Sequence, residues 1–144
     1  SAVNLPDGLN IDPLTGIIAG TIGMHAAGNY SVTVSATDGQ NVRSKTFAWT
    51  IADLTPPQIV NPGSQQHNEG NTISLAINAS DIEGDSLTFA ATGLPPGLNI
   101  NLLSGLISGT LGNQAAGVYQ VLLAVSDGSH NVSTTFQWTI LNVG

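Results

Sequence analysis

An internal repeat constrains the fold of this chain more than any other feature. When the 144-residue sequence is aligned with itself at an offset of 89 residues, positions 5–51 match positions 94–140 without a gap, and 25 of these 47 positions are identical. The run LPxGLNI begins at Leu5 and again at Leu94, and FxWTI begins at Phe47 and again at Phe136. Because turns and strands recur in the same order, the two stretches are predicted to share one local structure.

The offset also predicts the domain organisation. A period of 89 residues fits completely into the chain only once. We therefore predict that residues 54–144 form one complete repeat and that residues 1–53 form the C-terminal half of another. The first half of the complete repeat, about residues 55–93, has no counterpart before Leu5.

Alternation of apolar and polar residues predicts short strands throughout the complete repeat. About seven are expected, at 57–60, 73–81, 87–91, 98–100, 106–109, 119–127 and 136–140. Tyr119, Phe136 and Trp138 share the parity of the buried faces and are predicted to lie in the core. Seven short strands in about 90 residues are typical of an immunoglobulin-like β-sandwich. The predicted fold class is therefore all-β.

Charge and composition exclude several classes of protein. The chain has 2 basic and 9 acidic residues, and its formal net charge is −7. Two cations are too few to cover a phosphate backbone, so no nucleic-acid partner is expected. The absence of cysteine excludes disulfides and thiolate metal sites. No apolar run approaches the roughly 18 residues of a membrane span, and this segment shows no signal peptide.

Three motifs of the complete repeat resemble a known family. They are DIEGDSLTF at 81–89, GLPPGL at 93–98 and GLISGT at 105–110. Together they resemble the dystroglycan-type cadherin-like repeat and its close relative, the putative-Ig repeat of bacterial surface proteins. The resemblance implies an immunoglobulin/cadherin-like sandwich, tandem arrangement, and secretion or surface display in a bacterium. It also implies calcium binding and adhesive contact with proteins or polysaccharides.

The resemblance implies that Asp81 and Glu83 in the acidic loop and Asp127 in the last hairpin are calcium ligands. Strand order supports the same grouping, because the strands that end at Asp81 and Asp127 are expected to run toward one end of the sandwich. Asp53 and Asp85 are predicted to assist there, at the junction with the preceding half-repeat. Calcium prefers several oxygen ligands from separate loops, as this arrangement would supply. Glu83 stands where the family has aspartate, and we expect a single Ca²⁺ ion.

Two alternatives remain open for these carboxylates. Asp85 either assists the metal or caps its own turn through the backbone. The acidic loop as a whole either holds an ion or is a solvated turn without one, since acidic β-turns are common.

Two functions are compatible with the sequence. The first is a non-catalytic, calcium-binding structural and adhesive module of a larger extracellular tandem-repeat protein, with a protein or polysaccharide partner at the cell surface. The second is a carbohydrate-binding accessory module of a secreted hydrolase. A sugar platform needs exposed rings, whereas all seven tyrosine, phenylalanine and tryptophan rings have core parity, so the first function is favoured. No nucleophile elbow or metalloprotease helix accompanies the histidines, and no enzyme is expected.

The half-repeat is predicted to expose the apolar face of its closing strands. Burial of apolar surface is worth about 25 cal/mol per Å², and unpaired sheet edges recruit partners. We therefore expect the half-repeat to be completed by other strands. Either a second copy of the chain supplies them, through self-association, or upstream sequence does.

Overall fold

Every regular element of the computed structural model, which describes residues 1–144, is a β-strand. The chain divides into two units, Ser1–Leu54 and Thr55–Gly144. The first unit contains β1 (Ala2–Val3), β2 (Leu9–Ile11), β3 (Ile18–Gly20), β4 (Gly28–Thr37) and β5 (Val42–Ile51). None of the elements is a helix long and apolar enough to cross a bilayer.

The second unit contains nine strands. They are β6 (Gln58–Ile59), β7 (Gln65–Asn68), β8 (Thr72–Ala76), β9 (Ala79–Ser80), β10 (Thr88–Thr92), β11 (Leu98–Ile100), β12 (Leu106–Thr110), β13 (Gly117–Ser126) and β14 (Asn131–Leu141). One sheet has the order β10-β13-β14-β7 and another the order β11-β12-β8, while β6 pairs with β9. The predicted all-β fold is confirmed, although the expected number of strands was too low.

The core of the second unit follows the predicted parity. Along β13, Val121, Leu123 and Val125 are each about 1% exposed or less, and the residues between them face outward or lie at the margin. β-branched and aromatic side chains suit such a pleated, buried face. Trp138 is fully buried and packs against Phe136, with the two ring centroids 5.7 Å apart. These strands therefore form the sandwich core that alternation predicted.

The strand β7 differs from the prediction. It pairs in parallel with the end of β14, so that Trp138 stands opposite Gln65 and Ile140 opposite His67. Its sequence, QQHN, has no apolar alternation and was not identified as a strand. Pairing of backbone groups with β14 holds it in place, and its polar side chains contribute little to the sequence signal.

The first unit has fewer strands than the second. Its sheet has the order β1-β4-β5, and β2 and β3 form a separate hairpin. The β2–β3 and β11–β12 hairpins need glycine at equivalent positions. Gly97 has φ +97°, and a Cβ there would lie 2.1 Å from the carbonyl oxygen of Thr110. Gly8 makes the same close approach in the first unit.

Candidate metal centre

The acidic loop lies between β9 and β10 and is organised by Asp81. Its Oδ1 accepts hydrogen bonds from the backbone N–H of Glu83 at 2.8 Å and of Asp85 at 3.3 Å. Gly84 has φ +79°, and its N–H donates to the carbonyl oxygen of Asp81. A short side chain that caps the backbone two and four residues ahead is typical of such turns. The loop therefore has a defined shape, with Asp81 at its base.

A second carboxylate lies in the hairpin between β13 and β14. Asp127 Oδ1 accepts hydrogen bonds from the backbone N–H of Ser129 and of His130, and Asp127 Oδ2 lies 3.3 Å from His130 Nδ1. The Asp127 side chain is fully buried. Burial raises its pKa, but the hydrogen bonds from His130 and Ser129 outweigh that effect, so the pKa of Asp127 lies below its ordinary value. Asp127 is therefore a carboxylate at neutral pH.

The loop and the hairpin lie at the same end of one sheet. Thr88, the first residue of β10, pairs with Ser126, the last residue of β13. The chain therefore enters β10 from the acidic loop beside the point where β13 leads into Asp127. Within the loop, a carboxylate oxygen of Glu83 and one of Asp85 lie within 4.8 Å of each other.

The donor set fits a hard cation. Asp81 Oδ2 is buried and has no hydrogen-bond partner in the protein. A buried carboxylate oxygen without a partner is costly, and a cation is the ligand that would satisfy it. The other acidic side chains of the loop, Glu83 and Asp85, also offer carboxylate oxygens, which Ca²⁺ prefers. Asp81, Glu83 and Asp85 would hold such an ion from the loop, and Asp127 stays a ligand predicted from the sequence.

The predicted calcium ligands differ in which side chains the structure places next to them. It brings Glu83 and Asp85 together and keeps Asp127 close to His130. Asp53 belongs to the first unit, in the segment after β5, and its role stays a prediction from the sequence. The sequence left open whether Asp85 caps its own turn. In the structure the Asp81 side chain caps this turn, because it accepts a hydrogen bond from the backbone N–H of Asp85.

His130 was not identified from the sequence as part of this site. Its position three residues after Asp127, in a tight turn, was the sequence signal that could have indicated the contact between the two side chains.

The first unit carries the same hairpin without the acidic loop. Asp38, which aligns with Asp127, accepts hydrogen bonds from the N–H of Asn41 at 2.8 Å and of Gln40 at 2.9 Å. These bonds lower the pKa of Asp38. Asn41 stands in the position of His130, and the chain contains no counterpart of residues 81–85 in this unit. Asp38 can therefore serve as a control for Asp127, because it makes the same turn without an acidic loop.

The aromatic rings of the first unit are less buried than their parity predicts. Phe47 is 40% exposed, whereas its counterpart Phe136 is 5% exposed. Phe47 and Trp49 lie side by side, with ring centroids 6.0 Å apart and planes tilted by 35°. The interpretation that every ring faces a core is therefore wrong for Phe47. The chain therefore has one exposed ring beside a half-buried one, an arrangement that the sugar-platform argument had excluded.

Comparison with known proteins identifies the same type of repeat in both units. The profile of the family described as Putative Ig domain (He_PIG) matches residues 1–52 and 56–141. The chain is 34% identical over 143 residues to the Serine-rich adhesin for platelets of Staphylococcus aureus strain MRSA252, covering 97% of this chain and 10% of that protein. For strain MSSA476 the identity is again 34%, over 97% of this chain and 6% of the adhesin. The chain thus spans a tenth or less of these curated relatives.

Solved structures share the fold at low identity. An endo-fucoidan hydrolase of glycoside hydrolase family 107 matches with a TM-score of 0.55 and 23% identity, over 100% of this chain and 24% of that chain. Drosophila N-cadherin EC1-4 matches with a TM-score of 0.53 and 14% identity, over 93% of this chain and 38% of that chain. At these identities the likeness shows the fold alone.

Proposed function

Because the chain belongs to the Putative Ig domain family, we propose that it is a calcium-binding, non-catalytic module of a larger extracellular surface protein in a bacterium. Its role is structural and adhesive, in a tandem array of similar repeats. The observation that carries the calcium proposal is the buried Oδ2 of Asp81, which has no hydrogen-bond partner and belongs to the loop that also carries Glu83 and Asp85.

Calcium would supply stiffness rather than chemistry. The loop 81–87 and the hairpin 127–130 are joined to the sheet through β10 and β13 and together carry four acidic side chains. Carboxylates at close range repel one another, and a divalent cation converts that repulsion into a cross-link. Affinity on the order of 10⁻⁴ to 10⁻³ M is expected, as in other extracellular modules. Asp53 is proposed as an assisting ligand on the sequence prediction alone.

The adhesive role is supported by the likeness to the staphylococcal adhesin. A protein or polysaccharide at a cell surface is the proposed partner. The acidic surface, with a net charge of −7, disfavours anionic partners that lack a bridging cation.

Calorimetry with a matched pair of variants tests the calcium proposal. In Asp127→Asn the side-chain oxygen still accepts the Ser129 and His130 amides, so the turn is kept while the charge is removed. Asp38→Asn makes the same change in the first unit. We expect calcium heat in the original chain and in Asp38→Asn, and at least a tenfold weaker affinity in Asp127→Asn and in Asp81→Asn. Absence of calcium heat from the original chain, or equal loss in both hairpin variants, would contradict the proposal.

A second candidate function is carbohydrate binding as an accessory module of a secreted hydrolase. The exposed Phe47 ring beside the half-buried Trp49 ring favours it, because sugars stack on accessible aromatic faces. A glycan array, read with and without a chelator, tests this function. Signals that disappear in Trp49→Ala would support it, and a blank array under both conditions would exclude it for the glycans printed.

A further inference from the structure

The sheet β10-β13-β14-β7 of the second unit exposes apolar side chains on the face that points away from the core. Along its strand β13, core residues alternate with outward-facing ones. Among the outward residues, Val118 is 63% exposed and Leu122 is 42% exposed. Thr92 of β10 stands opposite Leu122 on one side, and Thr135 of β14 stands opposite it on the other. Leu122 is therefore at the centre of the outward face.

The first unit shows that strand pairing does not require apolar residues at these positions. The strand β4 aligns with β13 without a gap, and it carries Asn29 in the position of Val118 and Thr33 in the position of Leu122. The hydroxyl oxygens of Thr33 and Thr46 lie 2.8 Å apart and share a hydrogen bond across the strand pair. Polar side chains thus suit the same strand, and the apolar character of the outward face is particular to the second unit.

The outward face also carries no charge. The chain has 2 basic and 9 acidic residues, and none of them belongs to β10, β13 or β14. Two copies of a chain with a net charge of −7 repel each other through their acidic surfaces. An uncharged face is where two such copies approach with the least repulsion.

The amide side chains of the outward face hydrogen-bond within the face. Gln120 Nε2 donates to Gln137 Oε1 at 3.5 Å, and Gln137 Nε2 donates to Thr139 Oγ1 at 3.4 Å. Polar groups that already have partners lose less free energy when water is excluded from them. These glutamines therefore tolerate a contact from which water is removed.

The size of the outward face corresponds to a weak interface. The pairing of β13 with β14 runs from Gly117 opposite Ile140 to Ser126 opposite Asn131. At about 3.4 Å per residue and about 4.8 Å between strands, β10, β13 and β14 together cover roughly 400 Å². Two such faces in contact amount to about 800 Å², below the roughly 1,200 Å² at which stable complexes begin.

We propose that the outward face of β10, β13 and β14 binds the same face of a second copy of the chain, in a weak two-fold dimer with Leu122 of each copy near its centre. Sheets stack face to face about 10 Å apart with interdigitated side chains, and a two-fold contact pairs one patch with itself. The proposal uses neither the calcium site nor the surface of the first unit.

Other occupants suit the outward face less well. A sugar stacks on exposed rings, whereas Tyr119, Phe136 and Trp138 pack into the core from these strands. A polyanion or an anionic membrane would meet no cation there. A second copy brings an uncharged face of the same composition.

Sedimentation velocity and NMR of the full chain between about 0.02 and 2 mM, in the presence of EDTA, test the proposal. We expect a monomer–dimer equilibrium with a Kd of roughly 10⁻⁴ to 10⁻³ M, because the contact is small. Amide shifts should depend on concentration in residues 118–124 and 133–139. Added salt should strengthen the association, since it screens the repulsion between two acidic copies.

Variants locate the contact. Leu122→Thr introduces the residue that the first unit has at this position, and it should weaken the association at least tenfold without changing the melting temperature of the monomer. Val118→Asn makes the corresponding change toward the margin of the face and should weaken the association less. Leu103→Thr is the control, because Leu103 is 78% exposed in the loop between β11 and β12, outside this face. It should associate like the original chain.

Three results would overturn the proposal. The first is a chain that stays monomeric up to about 2 mM, well above the micromolar range. The second is a dimer that Leu122→Thr leaves unchanged, or that Leu103→Thr weakens equally. The third is a dimer whose concentration-dependent shifts lie in residues 42–51 of the first unit instead of residues 118–124.

Discussion

The two units of this chain place nearly the same closing strands in different surroundings. Val32 and Val121 align and are both fully buried, and Tyr30 and Tyr119 each donate a hydrogen bond to the carbonyl oxygen four residues earlier. On the neighbouring strands, directly opposite these valines, the units diverge, because Phe136 is covered and Phe47 is not. Strand pairing and turn geometry are therefore properties of the local sequence, while burial depends on which strands lie opposite.

The largest difference is expected at the two tryptophans. Trp138 is fully buried, whereas Trp49 is partly exposed. Trp138→Ala should lower the free energy of unfolding of the second unit by about 3–5 kcal/mol, since it opens a cavity in a packed core. Trp49→Ala should cost about 1 kcal/mol or less, because less apolar area is lost from burial. Urea unfolding followed by hydrogen exchange, which separates the two units, measures both values. Equal costs would show that the first unit is packed as tightly as the second.

A smaller effect is expected at His67, which has no counterpart in the first unit. Trp138 Nε1 donates a hydrogen bond of 3.1 Å to His67 Nδ1. His67→Ala should lower the stability of the second unit by about 1–3 kcal/mol, because a buried donor loses its acceptor. The neighbouring exposed position provides the control, Gln66→Ala, for which no change beyond about 0.5 kcal/mol is expected. A thermal melt of each variant compares them, and matching losses would rule out the hydrogen bond as the cause.

The smallest effect is expected from acid, and it should be similar in the two hairpins. The pKa values of Asp38 and Asp127 both lie below the ordinary aspartate value. A lowered pKa in the folded state means that the folded protein binds fewer protons than the unfolded chain. Each aspartate therefore stabilises the folded state above about pH 4, and this contribution is lost as the pH falls through the folded-state pKa. Melting temperatures from pH 5 to pH 2 should fall less steeply in Asp38→Asn and in Asp127→Asn. A profile that neither variant alters would contradict this assignment.

How far the sequence predicts the structure depends on whether a feature is local. The buried faces of β13 and β14 and the end of the sheet that carries the acidic loop follow from alternation and strand direction. The parallel pairing of β7 was missed because Gln65 and Gln66 carry no hydrophobic signal. The exposure of Phe47 departs from its parity because parity reports which face a ring is on, not whether another layer covers that face. His130 was missed because its proximity to Asp127 depends on the turn conformation.

The most direct test of the calcium proposal is an NMR titration of the full chain with Ca²⁺. The two hairpins share the aspartate turn, and only the second has carboxylates of an acidic loop beside it. We predict saturable amide shifts in residues 81–87 and 127–130, absent in Asp81→Asn, and no comparable shifts in residues 38–41. Equal shifts in both hairpins, or none up to about 10 mM calcium, which is well above the affinity range expected for an extracellular module, would contradict it.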